Sequence, residues 1–321
     1  MLKQNVSLKD YSNYKIGGNA AYFLEVFSRK DLIDGLKEWY EVSLDFPKNK
    51  TQIFVLGGGT NVLFSDDGFY GLVIKNSIKG IEVKNNIVIV GAGESISSFL
   101  DFCIKHSLSG FEWAGGLPGT VGGAIRGNAG AFNGEIKDTL VEVESLNLKT
   151  LKTIKRSNKN CELLYRNSVF KNNAKDEIII SAVFNLSSGN RKDIENKIRE
   201  RVEHRNLKHP LEYPNIGSIF KNVPIEKFLD IQMKSLSQYI KNDPFSVIPA
   251  AKLIFLAGLK GERVGDVMVS PKHTNFIVNM GNGKASEVKR LIGFIKERVK
   301  EEFNVELEEE IMYVNGGDLN G

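Results

Sequence analysis

The chain has 321 residues, of which 41% are hydrophobic and 26% charged, an ordinary globular composition with enough length for roughly two or three domains. The formal net charge is +4, and no dense basic run is interleaved with aromatics, which argues against a nucleic-acid partner. No apolar run reaches the roughly 18 residues of a membrane span, and the N-terminus lacks the apolar segment of a signal peptide. We therefore expect a cytoplasmic protein that does not bind membranes.

Two cysteines, Cys103 and Cys161, have neither CxxC spacing nor metal-ligating neighbours. We interpret them as buried or inert thiols in a reducing compartment. The histidines His106, His204 and His209 also lack partners at metal-ligand spacing, so no metal site is expected.

Residues 1–75 predict an α/β segment. A strand is expected over 20–27, a helix capped by Ser28 follows, and further strands are expected at 53–56 and 72–74. The helical spacing is carried by Leu32, Leu36 and Trp39.

Residues 76–203 predict a hairpin around Asn85 and Asn86, and then a helix capped by Ser95. Short strands are expected over 141–148 and 178–186, followed by a helix over 190–205. Because strands dominate after the central glycine-rich stretch, α+β fits better than a parallel sheet.

Residues 204–321 predict a helix over 249–256, a strand at 276–278 and a long amphipathic helix capped by Ser286. The chain then alternates like a strand over 305–314.

The stretch from Gly115 to Gly134, GGLPGTVGGAIRGNAGAFNG, contains eight glycines. Glycine costs conformational entropy, so such a run indicates a backbone that needs positive φ or a close approach to a ligand. Its N–H groups would suit a phosphate or pyrophosphate. A purely structural glycine loop is the alternative, whereas the apolar residues inside the run disfavour a flexible linker.

A second glycine cluster, FVLGGGTNVL, occupies residues 54–63. It is not the dinucleotide fingerprint, which opens a helix and has an acidic residue about 20 positions later. It is not a Walker A loop, which needs GK[ST]. Two such loops in one chain predict a long ligand with a central pyrophosphate, held from two sides.

These residues resemble the UDP-N-acetylenolpyruvoylglucosamine reductase (MurB) family of bacterial cell-wall synthesis. The resemblance is carried by GGGTNVL and GLPGTVGGAIRGNAGAF, and it extends from YKIGG at 14–18 almost to the end of the chain. Four later motifs belong to it: YRNS at 165–168, GSIFKN at 217–222, SPKHTNF at 270–276 and LEEE at 307–310. The short span between Arg166 and Ser218 resembles the shorter of the two family subclasses.

The resemblance implies an α+β fold, in which an FAD-binding domain of the vanillyl-alcohol oxidase/PCMH type is built from two α+β subdomains. A C-terminal α+β substrate-binding domain follows. We expect the boundaries 1–75 and 76–203 for the two subdomains and 204–321 for the domain that carries the catalytic Ser and the C-terminal Glu.

The implied reaction is the NADPH-dependent, FAD-mediated reduction of UDP-N-acetylglucosamine enolpyruvate to UDP-N-acetylmuramate. This step belongs to peptidoglycan precursor synthesis, and hence to cell-wall biogenesis, cell shape, the cell cycle and cell division. The expected partners are NADPH and the UDP-sugar alone, and the protein is expected to be a monomer.

The expected FAD is non-covalent, because neither glycine loop contains the His or Cys through which some relatives in the wider superfamily attach flavin. The predicted FAD contacts are Gly57, Gly58, Gly59, Thr60, Asn61, Pro118, Gly119, Thr120, Gly122, Gly123, Asn128, Ala129 and Gly130.

Ser218 follows Gly217, and a lone serine in that position is most often a turn residue. A hydroxyl can still deliver a proton when it is held at the reacting carbon. The resemblance makes Ser218 the proton donor. Nucleophilic catalysis by this serine would need a base, and no histidine is obviously placed for it, so a serine hydrolase is disfavoured.

Arg166, most simply a surface arginine, is by resemblance the active-site guanidinium that stabilises a carboxylate or developing enolate. The family's active-site acid corresponds to Glu310. A one-step slip in register would select Glu309 instead, because alternation places the two glutamates on opposite faces of a strand.

Lys221 and Asn222, beside Ser218, are predicted contacts to the substrate phosphate or sugar. His273 is interpreted as a structural histidine rather than a general acid or base.

The chain departs from the family pattern at Val223, where a proline is usual, and at Phe255, where an acidic residue is common. An insertion of residues runs over about 224–247. Its apolar face is expected to consist of Ile225, Phe228, Leu229 and Met233.

Two alternative functions remain open at this point. An FAD-linked oxidase of the same superfamily would lack the motifs of Ser218 and Glu310. A flavin- or nucleotide-binding regulatory module would lack turnover.

Overall fold

The computed structural model describes residues 1–316. Its strands are β1 (Lys3–Ser7), β2 (Asn19–Val26), β3 (Ile53–Leu56), β4 (Val62–Phe64), β5 (Phe69–Asn76), β6 (Ile81–Lys84), β7 (Ile87–Gly91), β8 (Leu108–Ser109), β9 (Gly130–Ala131), β10 (Gly134–Glu135), β11 (Leu140–Asn147), β12 (Thr153–Ser157), β13 (Glu177–Asn185), β14 (Ser187–Ser188), β15 (Val223–Pro224), β16 (Lys241–Asn242), β17 (Ser246–Ile248), β18 (Arg263–Val264), β19 (Val267–Val269), β20 (Ile277–Asn279) and β21 (Met312–Val314). Its α-helices are α1 (Arg29–Val42), α2 (Ile96–Lys105), α3 (Val121–Gly127), α4 (Arg191–Lys208), α5 (Asp230–Leu236), α6 (Ala250–Leu256) and α7 (Ala285–Phe303). The prediction of an α+β fold is confirmed.

The chain forms two compact units, each assembled from separate stretches of sequence. Unit 1 consists of residues 1–5, 22–58 and 71–205, and unit 2 of residues 6–21, 59–70 and 206–321, of which the last five lie outside the described part. The three-part division at residues 75 and 203 stays a prediction.

Unit 1 is built on two sheets. One has the strand order β1-β2-β5-β3, with β3 and β5 parallel, so that Ile53 lies opposite Leu72. The other is the antiparallel sheet β12-β11-β13-β7-β6, which includes the predicted hairpin of β6 and β7. Asn85 takes a positive φ of 55° in the hairpin turn, a conformation that asparagine tolerates well.

Unit 1 has two hydrophobic cores, and the antiparallel sheet contributes residues to both of them. Leu32, Leu36 and Trp39 of α1 are fully buried in one core. Phe99 and Cys103 of α2 lie in the other, where the Phe99 and Phe111 rings are tilted by 55° with their centres 4.8 Å apart. The helical spacing read from the sequence therefore identifies the buried faces of both helices.

Two predicted N-caps in unit 1 are confirmed. The Ser28 hydroxyl accepts a hydrogen bond from the Asp31 N–H at 3.1 Å. The Ser95 hydroxyl accepts one from the Ser98 N–H at 3.0 Å. Each satisfies a backbone donor that the first helical turn leaves without an internal partner.

Both cysteines belong to unit 1 and are buried thiols, as interpreted from the sequence. Burial raises the pKa of Cys103 to about 12 and that of Cys161 to about 11. Because the thiolate is the reactive form, both thiols are inert at neutral pH.

Unit 2 contains small sheets around the long helix α7. The strand orders are β15-β17-β16 and β18-β19-β20, and β21 pairs in parallel with β4. One face of α7 is buried in the core of the unit, and its buried residues include Val288, Leu291, Ile292, Ile295 and Val299.

The predicted cap of α7 is wrong. Ser286 lies inside the helix, which begins at Ala285. The carboxylate of Asp66, far away in sequence, accepts hydrogen bonds from the N–H groups of Ala285 at 2.7 Å and Ser286 at 3.0 Å. A long-range carboxylate thus replaces the local serine, and its charge also suits the positive end of the helix dipole.

The last predicted strand is shorter than expected. Only Met312–Val314 forms a regular strand, while residues 305–310 run extended with one bridge, between Glu309 and Phe220. Alternate burial is nevertheless present, since Val305 and Leu307 are buried and Glu306 and Glu308 are exposed.

The insertion contains α5 between β15 and β16. Phe228 is buried, and Ile225 and Met233 pack against the core of unit 2. Leu229 does not belong to this apolar face, because it is 60% exposed at the N-cap of α5.

Candidate active site

The predicted site residues are divided between the two units. Unit 1 holds Gly57, Gly58, Pro118, Gly119, Thr120, Gly122, Gly123, Asn128, Ala129, Gly130 and Arg166. Unit 2 holds Gly59, Thr60, Asn61, Ser218, Lys221, Asn222 and Glu310.

The two glycine loops meet in unit 1. A Cβ atom added to Gly57 would lie 2.7 Å from the Thr120 hydroxyl, so the first loop leaves space only for a hydrogen at this point. Gly58 and Gly123, one on each loop, are exposed. The loops therefore form one surface made of backbone, which a flat or extended ligand can approach closely.

The N-terminus of α3 is anchored within the protein. The Val121 N–H donates to the Glu94 carbonyl at 2.9 Å and the Gly122 N–H to the Ala92 carbonyl at 2.8 Å. The Gly123 N–H donates to the Thr120 hydroxyl at 3.3 Å. A Cβ atom on Gly122 would lie 2.9 Å from the Ala92 side chain, so close packing against Ala92 explains the glycine at this position.

Asn128 ends α3 in the left-handed conformation, with a φ of 40°. Its buried side chain donates to Glu135 at 2.6 Å and to the Leu164 carbonyl at 3.0 Å, and accepts from the Lys137 N–H at 3.2 Å. These three bonds fix the turn that leads into Ala129 and Gly130.

Arg166 lies next to that turn. Its Nη2 atom donates to the Gly130 carbonyl at 3.0 Å, and its guanidinium carbon lies 5.1 Å from the centre of the Tyr165 ring. The Arg166 carbonyl accepts a hydrogen bond from the Lys171 ammonium at 2.7 Å. The φ of Arg166 is +54°, an uncommon conformation that clusters at functional sites.

Arg205 is a candidate that the sequence reasoning missed. Its Nε atom donates to the Gly115 carbonyl at 2.9 Å, and its guanidinium lies 5.6 Å from the Phe132 ring, which Arg201 covers at 4.5 Å. Burial, helped by the nearby charge of Arg166, lowers the pKa of Arg205 to about 10. Arginines thus bind the carbonyl groups at both ends of the stretch from Gly115 to Gly130. Arg205 lies near the end of α4, and the sequence around it does not indicate this contact.

Lys75 is a second missed candidate. It ends an otherwise apolar run of β5, and its ammonium donates to the Gly57 carbonyl at 2.5 Å. Burial, aided by Lys79 and opposed by Glu25, lowers its pKa. The available signal was a lysine inside the apolar strand that follows the first glycine loop.

In unit 2 the loop of Gly59 to Asn61 is tied to two distant segments. A Cβ atom on Gly59, whose φ is +66°, would lie 2.0 Å from the Tyr11 carbonyl oxygen, so only glycine fits. Asn61 donates through Nδ2 to the Glu310 carbonyl at 3.0 Å, and its own carbonyl accepts from the Met312 N–H at 3.0 Å.

The structure brings the backbones of the Ser218 and Glu310 segments together. The Glu310 N–H donates to the Ile219 carbonyl at 2.8 Å, and the Lys221 N–H donates to the Glu308 carbonyl at 2.9 Å. Phe220 and Glu309 form an antiparallel bridge between these bonds. Two segments that are far apart in sequence, residues 219–221 and 308–310, are thus paired through their backbones.

Glu309 and Glu310 have different surroundings. The Glu309 carboxylate accepts hydrogen bonds from Lys296 at 2.9 Å and from the Tyr313 hydroxyl. Burial, reinforced by Glu309, raises the pKa of Tyr313 well above its ordinary value. Glu309 is therefore engaged in a structural contact between α7 and β21.

Lys221 and Asn222 already have partners in the protein. The Lys221 ammonium pairs with the Glu308 carboxylate. The Asn222 side-chain oxygen accepts a hydrogen bond from the Ala250 N–H at 3.2 Å at the start of α6, where the N-cap residue Pro249 makes no side-chain cap bond.

His273 is partly buried between His209 and Phe276, whose ring centres lie 5.5 and 4.8 Å away. Burial, helped by Lys241, lowers its pKa to about 4, so it is neutral at pH 7. Its Nδ1 atom is buried without a hydrogen-bond partner among the described residues. These surroundings suit a packing role.

Over residues 1–316, no group of three or more His, Cys, Asp or Glu side chains is arranged to hold a metal ion. Within the same part of the chain, none of the helices combines the length and apolar character needed to cross a bilayer.

Comparison with protein families gives two matches. Residues 40–150 match the model of an FAD binding domain. Residues 209–314 match the model "UDP-N-acetylenolpyruvoylglucosamine reductase, C-terminal domain". The α+β fold, the two glycine loops and the first of these matches define an FAD-dependent oxidoreductase.

Curated relatives match almost the whole chain. A UDP-N-acetylenolpyruvoylglucosamine reductase from Clostridium novyi is 36% identical over 317 residues, which is 98% of this chain and 92% of the relative. One from Caldanaerobacter subterraneus is 37% identical over 97% of this chain and 92% of the relative. The crystal structure of the Thermus caldophilus reductase (MurB) superposes with a TM-score of 0.76 at 28% identity, covering 98% of this chain and 99% of that one. The chain belongs to the UDP-N-acetylenolpyruvoylglucosamine reductase family.

Proposed function

We propose that the protein reduces UDP-N-acetylglucosamine enolpyruvate to UDP-N-acetylmuramate, using NADPH and a non-covalent FAD, in peptidoglycan precursor synthesis. The observation that carries this proposal is the pairing of residues 219–221 with residues 308–310. It brings the residues directly after the predicted proton donor next to the backbone of the predicted acid. The chain matches a curated relative over 98% of its own length.

The residues present fit an FAD. Gly57 and Thr120 lie so close that a side chain on Gly57 would clash, and the exposed glycines beside them leave backbone available to a pyrophosphate. Lys75 adds a positive charge at the Gly57 carbonyl. We propose that these loops and Lys75 hold the cofactor, while Gly122 and Asn128 shape the loop through packing and internal hydrogen bonds. FAD, when bound, supplies the hydride chemistry that no side chain can perform.

Ser218 is the proposed donor of the proton to the α-carbon of the enolpyruvyl group. A neutral hydroxyl can act in this way when it is fixed at hydrogen-bonding distance and the remaining oxygen charge is stabilised. The backbone on its C-terminal side is held by the pairing with residues 308–310, which limits the motion of the hydroxyl.

Arg166 and Glu310 are the proposed groups that stabilise the enolate-like intermediate of the substrate. Arg166 presents a guanidinium fixed at Gly130, and such preorganised charge is the largest single contribution in many enzymes. Glu310 is preferred over Glu309 because the Glu309 carboxylate is engaged by Lys296 and Tyr313.

Lys221 and Asn222 are the proposed substrate contacts. For Lys221 this requires exchange of Glu308, whose side chain is 61% exposed, for a substrate phosphate. An ion pair with an exposed carboxylate is worth about 0–1 kcal/mol, so a phosphate can replace it at little cost. Asn222 would use its Nδ2 group, since its oxygen accepts from Ala250.

The proposed partners are small molecules alone, namely NADPH and the UDP-sugar, without nucleic acid or membrane. A monomeric state and a cytoplasmic location complete the proposal.

The substitution Ser218→Ala tests the role of the serine in the two half-reactions. We expect NADPH to bleach the bound flavin at the wild-type rate, and the enolpyruvyl sugar nucleotide to restore its colour at least about 10²-fold more slowly, the lower end of a general-acid contribution. Stopped-flow absorbance under anaerobic conditions measures both rates. Ser286→Ala, a change on α7 in the same unit, is the control. Equal loss of both half-reactions in Ser218→Ala would remove the proton-donor role.

A further inference from the structure

Asn275 lies in the segment SPKHTNF and is 2% exposed. Its side-chain oxygen accepts a hydrogen bond from the Phe220 N–H at 3.0 Å, and its Nδ2 group donates to the Phe220 carbonyl at 2.8 Å. Its own carbonyl accepts the Ile219 N–H at 2.8 Å. One residue therefore satisfies three backbone groups of the two residues that follow Ser218.

These bonds lie opposite the contacts made by the C-terminal segment. The Ile219 carbonyl accepts from the Glu310 N–H, and the Lys221 N–H donates to the Glu308 carbonyl. Residues 219–221 are thus held by backbone on one side and by an asparagine side chain on the other. Gly217, directly before Ser218, has a φ of +85°.

An amide side chain matches the donor and acceptor of a peptide group, so Asn275 takes the place of a neighbouring strand at Phe220. A strand edge that is left without a partner is mobile, and buried backbone groups without partners are costly. The position of the Ser218 hydroxyl therefore depends on whether the peptide groups directly after it stay fixed.

We propose that Asn275 is a positioning residue for Ser218, which it holds in place through the peptide groups of Ile219 and Phe220. The inference rests on the proposed role of Ser218 as proton donor. Asn275 itself touches neither reacting atoms nor cofactor in this scheme.

The chain offers a matched control in Asn279. This asparagine is 1% exposed, and its Nδ2 group donates to the Tyr14 carbonyl at 3.0 Å. Its oxygen accepts from the N–H groups of Gly281 and Gly283, each at 2.9 Å. It resembles Asn275 in burial and in binding backbone through both its donor and its acceptor, with three side-chain bonds against two, but these bonds go to other segments.

The test uses the FAD-loaded full-length enzyme with Asn275→Ala, Ser218→Ala, the double variant and Asn279→Ala. We expect Asn275→Ala to leave flavin reduction by NADPH unchanged and to slow recovery of the flavin colour by the enolpyruvyl sugar nucleotide by about 10²-fold, the effect of a misplacement of roughly 1 Å. The double variant is expected to be no slower than Ser218→Ala alone, because Asn275 acts only through that hydroxyl.

Amide hydrogen exchange gives a readout that does not depend on turnover. In Asn275→Ala the Phe220 N–H loses its acceptor and is expected to exchange faster, while the Lys221 N–H, bound to Glu308, stays protected. Asn279→Ala is expected to leave Phe220 protected and both half-reactions at wild-type rates. Should Asn275→Ala fail to fold, Asn275→Asp decides. It keeps the acceptor for the Phe220 N–H but turns the donor into a second acceptor that faces the Phe220 carbonyl. We expect it to slow colour recovery while the Phe220 N–H stays protected, and an unchanged rate would overturn the positioning role.

The outcomes separate the two proposals. If Ser218→Ala leaves colour recovery unchanged, the proton-donor role fails and the positioning role fails with it. The positioning role alone is wrong if Ser218→Ala slows colour recovery and the double variant is slower still, by the same factor that Asn275→Ala causes in the wild type. It is also wrong if Asn279→Ala slows colour recovery as much as Asn275→Ala does.

Discussion

The two units hold their predicted functional segments in different ways. In unit 1 the stretch from Gly115 to Gly134 is fixed mainly through backbone, with carbonyls of Ala92 and Glu94 accepting the N–H groups at the start of α3. In unit 2 the segment of Ser218 is held partly by a buried side chain, Asn275. The first arrangement requires glycines, which are visible in sequence. The second requires one asparagine, which lies in the recognisable motif SPKHTNF but whose partner, Phe220, the motif does not reveal.

This contrast predicts that substitutions of the loop glycines in unit 1 act through steric overlap, while substitutions of buried polar residues in unit 2 act through lost polar partners.

Gly134→Ala should destabilise the protein most. The added Cβ atom would lie 2.4 Å from Cδ1 and 2.5 Å from Cγ of Trp113, a buried side chain. Overpacking of this kind costs about 1–3 kcal/mol, and we expect the upper end because the overlap involves a rigid ring. The free energy of unfolding in urea measures it.

Gly127→Ala is the matched control in the same glycine-rich stretch. An added Cβ atom there meets nothing within 4 Å, and the residue is the last of α3. We expect a gain of up to about 1 kcal/mol from helix propensity. Equal destabilisation by both substitutions would mean that the whole stretch is intolerant, for a reason other than local overlap.

Lys75→Met removes the charge beside the Gly57 carbonyl and retains most of the side-chain volume. If Lys75 contacts the cofactor phosphate, the loss of a charged hydrogen bond worth about 1.5–3 kcal/mol weakens FAD binding roughly ten- to hundredfold. Flavin fluorescence titration of the apoprotein measures this. Lys79→Met, on an exposed residue nearby, serves as control, and equal weakening in both variants would indicate only a general charge effect.

Acid should weaken unit 2 through His273. The pKa of its folded form, about 4, lies below the ordinary value of 6.5, so the unfolded chain binds the proton first. This contribution to stability is fully present above pH 6.5 and is lost as the pH falls from 6.5 to 4. Between pH 7 and pH 5 it amounts to about 2 kcal/mol.

The measurement is the pH dependence of urea unfolding in the wild type and in His273→Gln. The variant should lose less stability between pH 7 and pH 5 than the wild type, whatever its stability at pH 7. Parallel curves would show that His273 is not the group that titrates.

Asp66→Ala should have the smallest effect. Removal of a helix cap costs about 1 kcal/mol, and here the cap serves Ala285 and Ser286 of α7. Ser286→Ala should change the free energy of unfolding by less than about 0.5 kcal/mol. A larger loss of stability in Ser286→Ala than in Asp66→Ala would instead support Ser286 as the cap of α7.

Local signals account for what could be read from the sequence. The caps at Ser28 and Ser95, the β6–β7 hairpin and the buried faces of α1, α2 and α7 depend on residues a few positions apart, and all are found. The glycine loops were recognisable because glycine has few other uses at such density. The family resemblance supplied Ser218, Arg166 and Glu310, whose roles stay predictions.

The features that were missed depend on contacts between distant residues. Asp66 caps a helix more than 200 residues later, and Asn275 binds a residue 55 positions earlier. Lys75 reaches Gly57 only because β5 lies beside β3. No spacing rule pairs residues at such separations. The sequence marks Lys75 as a lysine in an apolar strand, but it does not identify the partner of any of these three residues.

The central claim is that the chain is an FAD-dependent reductase of an enolpyruvyl sugar nucleotide. The most direct test is the visible spectrum of the purified wild-type protein under anaerobic conditions, before NADPH, after NADPH and after the UDP-N-acetylglucosamine enolpyruvate is added. We expect a yellow protein whose colour bleaches with NADPH and returns only with that substrate. A colourless protein that takes up no FAD would contradict the assignment of both glycine loops, and the proposed function with it.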